Sequence, residues 1–210
     1  MPPRRSYDQY CAAARALDAV GDRWTLLIVR ELLVGPRRYT DLHADLPGVS
    51  TDVLASRLKD LEQRGLATRR KLPPPAAAYV YELTGRGREL LPVLEALAAW
   101  GAPGLDERAP TDAVRAHWFA LPLLRPLAES GAEGVVEVRL AEGSFHVRLA
   151  DGARAYGDGP APDGADVLVT LDAGTCLAVS RGELTVGQGA REGRIEITGD
   201  SVLAKALRET

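Results

Sequence analysis

The stretch "VSTDVLASRLKDLEQRGLATRRKL", residues 49–72, constrains the fold more than any other part of the sequence. Ser50 or Thr51 supplies a helix N-cap, and Gly65 supplies the left-handed residue that ends a helix. At 100° per residue, Leu58 and Leu61 fall within about 40° of Leu54, so the three leucines form one apolar stripe. Asp52, Ser56, Lys59 and Gln63 point the opposite way, with Thr51, Ala55 and Arg57 on the flanks. After Gly65 the period changes to two. "LATRRKL" and "AYVYELT" are expected to be strands, joined through "PPPAAA", whose prolines forbid continued ladder pairing. A helix of this kind has to lay its leucines on other helices, and the ribbon must pack back against them.

The flanking sequence supplies those helices. A short one is expected over residues 8–20. A second spans residues 22–34, with Asp22 as N-cap and Trp24, Leu27, Ile28 and Leu32 on one stripe; Gly35-Pro36 stops it. Tyr39 to Ala44 makes a short third helix closed by Pro47-Gly48. Beyond the ribbon, residues 86–100 carry Leu90, Leu91, Leu94 and Leu97 as an apolar face. Four helices, a two-stranded ribbon and a helix are the order of a winged helix-turn-helix.

A helix whose outward side is small and polar near its N-terminus suits a major groove, where close approach brings side chains to base edges. The candidate DNA-binding residues are Ser50, Thr51, Ala55, Ser56, Arg57 and Lys59 on that helix. Arg69, Arg70 and Lys71 in the ribbon are candidates for phosphate contacts, which confer salt-dependent affinity blind to sequence. Arg37 and Arg38, with the N-terminal amides of the third helix, make a second candidate clamp. Asp52 would repel phosphate; it suits the helix N-terminus, or accepts from a cytosine amino group. Residues 1–105 hold 15 Lys+Arg against 12 Asp+Glu, and residues 106–210 hold 11 against 17, together the net charge of -3. A slightly basic first half and an acidic second suggest different partners, but an excess of +3 is too small to establish polyanion binding, which the placement of the charges must decide.

A domain boundary is expected at "WGAPGLDERAPTD", dividing the chain into residues 1–105 and 106–210. The second part reads as α+β. "TDAVRAHWFALPLLRPLAE" gives one or two helices. "GVVEVRLAEGSFHVRLADGARAYGDG" gives two or three antiparallel strands, "ADVLVTLDAGTCLAVSRGEL" a strand and a helix capped near Asp172, and "GRIEITGDSVLAKALRE" a strand, a turn and a helix.

Enzyme and metal signatures are not found. His43, His117 and His146 are isolated, and Cys11 and Cys176 have no metal-ligand spacing. "GQGAREG" has the glycines of a phosphate loop without its spacing. Ser144, His146 and Asp151 are neighbours in strand-forming sequence, where alternation of faces prevents a triad by proximity alone. The expectation is a non-enzyme without cofactor or metal. Apolar runs too short for a bilayer and the absence of a signal-like N-terminus point to a cytoplasmic protein without a membrane partner.

The segment from Tyr10 to Gly101 resembles the HxlR family of bacterial winged-helix transcriptional regulators. The resemblance rests on "YCAAARALDAVGDRWTLLIVRELLVGPRRYTDL", "LPGVSTDVLASRLKDLEQRGLATRR" and "YVYELTGRGRELLPVLEALAAWG". It implies operator binding as a homodimer to double-stranded DNA, a recognition helix over residues 50–64 and a wing over 67–84. It also implies a core role for Trp24 and dimer packing by Leu94 and Leu97. Cys11 stands where family members often carry a cysteine, which in some senses oxidants; Arg15, or Arg4 and Arg5, would lower its pKa, while an inert buried thiol is the alternative.

Residues 111–208 resemble the SCP2-like (sterol carrier protein 2) fold, on "DVLVTLD", "RGEL" and "GRIEITGD". The overall fold class expected is therefore α+β: a winged helix-turn-helix followed by an SCP2-like domain with a mostly antiparallel sheet. Such a domain implies a pocket for a small apolar effector, for which Trp118, Phe119, Phe145 and Tyr156 are candidates; support of dimerisation alone is the alternative. A carrier or sequestering protein whose winged helix mediates protein contacts is the other functional reading.

Overall fold

The structure, a computed structural model, describes residues 6–105, 109, 111–150 and 153–210. The chain divides into two compact units, one ending at Leu91 and the other beginning at Pro92.

In the first unit, α1 (Ala12–Val20), α2 (Thr25–Leu33), α3 (Tyr39–Asp45) and α4 (Thr51–Gln63) precede the hairpin of residues 67–83. The core is built from Ile28, Val29, Leu32, Leu42, Leu46 and the α4 stripe of Leu54, Leu58 and Leu61, all essentially inaccessible. Ser50 caps α4 by accepting the Val53 N–H at 3.4 Å, and Gly65 ends the helix at φ +66°, a conformation that costs glycine little. The Tyr39 hydroxyl donates to the Thr51 carbonyl at 2.8 Å, tying α3 to the start of α4.

Three local expectations are corrected. Asp22 is not the N-cap of α2; Trp24 holds that place at φ +78°, and Leu27 is exposed, so the buried stripe is Ile28, Val29 and Leu32. The ribbon has three strands: β1 (Arg37–Arg38) pairs antiparallel with β3 (Tyr79–Leu83), which pairs with β2 (Ala67–Lys71), in the order β1-β3-β2. The helix expected over residues 86–100 is two, α5 (Gly85–Arg88) and α6 (Leu91–Gly101). Pro92 has no N–H to offer the carbonyl four residues back, so one continuous ladder cannot form. Leu94 is buried, whereas Leu97 is exposed.

The second unit includes α6. Glu95 of α6 accepts from Arg154 at 3.2 Å, and the Ala102 carbonyl just past α6 accepts from Arg181 at 3.3 Å; the units divide ahead of the boundary expected at residue 105. A 3₁₀ turn over residues 116–119 leads into α7 (Ala120–Ala128). A five-stranded sheet follows in the order β6-β5-β4-β7-β8, formed by β4 (Gly134–Leu140), β5 (Gly143–Ala150), β6 (Ala153–Asp158), β7 (Val167–Thr170) and β8 (Glu196–Thr198). The β4–β7 pair is parallel and the rest are antiparallel. Helices α8 (Ala173–Ser180), α9 (Val186–Arg191) and α10 (Val202–Glu209) complete the unit. Asp172 caps α8, accepting the Thr175 N–H at 2.6 Å.

Helix α9 was not expected from the sequence, and it explains the glycines of "GQGAREG". A Cβ on Gly187 would lie 2.7 Å from the Arg208 carbonyl oxygen, and one on Gly189 would lie 2.6 Å from the Ile195 side chain. These glycines permit close packing against α10 and Ile195.

Candidate nucleic-acid interface

The burial of Leu54, Leu58 and Leu61 turns the opposite side of α4 outward. Ser50, Thr51, Asp52, Ala55, Ser56 and Lys59 are all exposed. From Ser50 to Lys59 this surface carries hydroxyls, a methyl, one carboxylate and one ammonium. Ser50 is committed through its hydroxyl to the cap, which leaves Thr51, Asp52, Ala55, Ser56 and Lys59 as the outward group.

Arg57 behaves differently. Its side chain is 20% exposed and is ion-paired with Asp22, in the turn before α2, and with Asp60 at 3.3 Å. Two carboxylates hold a guanidinium that the sequence placed among the DNA contacts. Asp22, no helix cap, thus acquires its role through a residue 35 positions away.

The wing divides its three cations by strand alternation. Arg69 and Lys71 face cross-strand partners Tyr81 and Tyr79, while Arg70 lies on the other side. Glu82 takes Arg70 in a two-bond fork at 3.1 and 3.2 Å. That hydrogen bond holds the Glu82 carboxyl below its ordinary range and raises Arg70. The Arg69 guanidinium stacks 4.0 Å above the Tyr79 ring and 6.0 Å from Tyr81, an arrangement worth about 0.5–1 kcal/mol at an exposed site. Burial raises the Tyr81 phenol, against the lowering effect of Arg69. The alternation of "YVYEL" was the signal that could have placed both tyrosines beside Arg69.

Arg37 and Arg38 form β1, the first partly covered and the second exposed. The Asp41 carboxylate accepts the Arg38 N–H at 3.2 Å. The start of α3 therefore already carries an anion, and the clamp expected there reduces to the two arginine side chains.

Cys11 is exposed at the N-cap position of α1. Its thiol pKa is lowered by the backbone amides of Ala14 and Ala13, and not by Arg15, which pairs with Asp18 at 3.6 Å. Arg4 and Arg5 lie outside the described residues, as does Asp151. Cys176 is buried, and burial pushes its thiol up to about 12.

Of the four aromatic candidates in the second unit, Phe145 is 0% and Tyr156 5% exposed, on adjacent strands, while Trp118 and Phe119 are half-covered in the turn that packs against β5 and β6. Beside them, buried His117 pairs with Asp158 at 3.3 Å. None of the four lines either of two surface depressions, one of about 430 Å³ in the first unit and one of about 140 Å³ in the second. Among the described residues, no cluster of three His, Cys, Asp or Glu side chains could hold a metal ion, and no helix is long and apolar enough to cross a membrane.

Comparison with known proteins finds two families along the chain, the first match extending through α6. Residues 19–109 match the family of HxlR-like helix-turn-helix proteins, and residues 121–210 match the SCP-2 sterol transfer family. YvaP of Bacillus subtilis, described as an uncharacterized HTH-type transcriptional regulator, is 37% identical over 92 residues, 44% of this chain and 85% of that protein. The HTH-type transcriptional regulator YodB of the same organism is 36% identical over 85 residues, 40% of this chain and 76% of YodB. The solved structure of reduced YodB aligns at 31% identity over 48% of this chain and 100% of that one, with a TM-score of 0.41.

Proposed function

The chain belongs to the HxlR family of helix-turn-helix transcriptional regulators, and on that premise we propose that it binds a near-palindromic operator as a homodimer. Helix α4 enters the major groove with Thr51, Ala55, Ser56 and Lys59 toward the base edges. Arg69 and Lys71 of the wing, with Arg37 and Arg38 of β1, bind phosphate. Ser50 caps the helix, and Arg57 and Arg70 hold the surface in shape through their carboxylate partners. The observation that carries the reading is the outward surface of α4: small and polar at its N-terminal end, backed by three buried leucines, with Lys59 in no ion pair among the described residues. Mobility shift with DNA upstream of the protein's own gene tests it. Specific binding that falls on Lys59→Ala supports the proposal, and sequence-indifferent binding at physiological salt opposes it. That indifference would favour a carrier whose winged helix makes protein contacts.

Two regulatory inputs belong to the same reading. A small apolar effector held by the second unit is supported by the match to the SCP-2 sterol transfer family; Phe145 and Tyr156 would have to part to admit it. Native mass spectrometry of the purified protein tests this, a retained apolar adduct supporting it and its absence opposing it. Sensing of oxidants or electrophiles by Cys11 is supported by its exposure and lowered pKa. Unchanged operator affinity after peroxide or quinone treatment would remove that role.

A further inference from the structure

The depression of about 430 Å³ in the first unit lies away from the proposed base-reading surface. It is lined by Ser6, by Arg15, Asp18 and Ala19 of α1, by Gln63 and Arg64 at the end of α4, and by Arg86 of α5. Gln63 and Arg64 end α4, whose 13 residues put them roughly 18 Å along the axis from its N-terminus. This concavity therefore belongs to the far end of the helix from Thr51.

Its charge is unbalanced. Three guanidinium groups share the lining with one carboxylate, that of Asp18, for a local excess of two positive charges. Asp18 is itself engaged: Oδ1 accepts the Tyr7 N–H at 2.9 Å, and Oδ2 accepts the Ser6 hydroxyl at 3.1 Å and faces Arg15. Arg64 and Arg86 make no ion pair among the described residues. The C-terminal end of α4 contributes a partial charge of about -0.5, which the three guanidiniums outweigh. The volume is that of a small-molecule site and too small for a folded partner.

From this geometry we infer that the first unit carries a binding site for a compact organic oxyanion, a metabolite with two or more carboxylate or phosphate groups, received by Arg15, Arg64 and Arg86. Guanidinium forks match both oxyanions bidentately. Gln63 supplies a neutral donor beside them, and the Ser6–Asp18 bond fixes the wall at α1. Occupancy would join the end of α4 to α1 and α5, bracing the helix proposed to read DNA.

The test is thermal unfolding and calorimetric titration of the full chain with sodium citrate and with sodium pyrophosphate, each against sodium chloride of matched ionic strength. At ten times Kd the expected rise in midpoint is roughly 3–6 °C; the anion that produces it identifies the source, carboxylate or phosphate. Arg86→Ala should weaken binding at least tenfold, Arg86→Lys should restore part of it, and Arg148→Ala, an exposed cation of the second unit, should leave it unchanged. In the unmutated protein the bound anion should protect Arg64 and Arg86, and not Arg148, from phenylglyoxal, read by peptide mass spectrometry. No response beyond sodium chloride, equal protection of all three arginines, or loss of DNA affinity on Arg86→Ala without any anion response would overturn the inference. The last outcome would make these arginines DNA contacts.

Discussion

Arg57 of α4 is ion-paired with Asp22 in the turn before α2, so a cation of the helix proposed to read DNA is anchored to the body of the unit. The pair is partly exposed and worth about 0.5 kcal/mol, but it fixes the direction of a side chain that would otherwise reach outward. A positioning role and a direct DNA contact differ in one variant. If Arg57 positions α4, Asp22→Asn lowers operator affinity together with Arg57→Ala, and the double variant loses little more. If Arg57 contacts DNA directly, Asp22→Asn releases it and affinity rises. Fluorescence anisotropy with labelled operator measures both.

Lys59 has no such partner among the described residues. Lys59→Ala should weaken specific binding about 5–10-fold and, if the ammonium contacts phosphate, make the log–log salt slope shallower by about one. The measurement is the same titration repeated across salt concentrations.

In the wing, Arg69→Ala should cost more operator affinity than Arg70→Ala, because Glu82 already neutralises Arg70 while Arg69 is held on tyrosine rings with no ion pair among the described residues. The reverse order would place the DNA-facing side of the ribbon on the Arg70 surface.

The Cys11 thiol has a lowered pKa because the first amides of α1 stabilise its thiolate. At a given pH it should therefore be more ionised than free cysteine. The rate of iodoacetamide alkylation against pH should show a midpoint below that of free cysteine measured alongside, whereas Cys176, pushed up to about 12, should stay inert in the folded protein.

The Asp172 carboxyl is held below its ordinary range, chiefly by the Thr175 N–H that it accepts at the start of α8. Its contribution to stability is present above the unfolded-state pKa and is lost as pH falls through the lower folded-state value. Asp172→Ala should destabilise the second unit by about 1 kcal/mol near neutrality. Asp172→Asn should keep most of the cap and flatten the acid limb of the stability profile, measured by denaturant unfolding across pH.

Much of the fold was legible in the sequence because its signals are local. The 54/58/61 leucine spacing, Ser50, Gly65 and Asp172 each act within a few residues and lie where expected. The missed features depend on distant partners or on too few residues. Asp22 was assigned to a cap because its chain neighbours allow one, while its actual partner is Arg57. Two residues of β1 carry no alternation to read. The break between α5 and α6 was available in Pro92 and was outweighed by four leucines at helical spacing. In the candidate site, exposure of Thr51, Ala55, Ser56 and Lys59 follows from helical periodicity alone. The neutralisation of Arg57 and Arg70 follows from tertiary packing and strand register, which sequence spacing does not carry. The sequence likewise gave no sign that Arg15, Arg64 and Arg86 converge.

The central claim, sequence-specific DNA binding through the outward surface of α4, is tested most directly by equilibrium titration of the full chain with its upstream DNA and with scrambled DNA at physiological salt. The account predicts binding at least about 10³-fold tighter to the upstream sequence, with Lys59→Ala and Thr51→Ala eroding that ratio at unchanged thermal stability. Equal affinity for both DNAs, or a ratio untouched by either substitution, would contradict it.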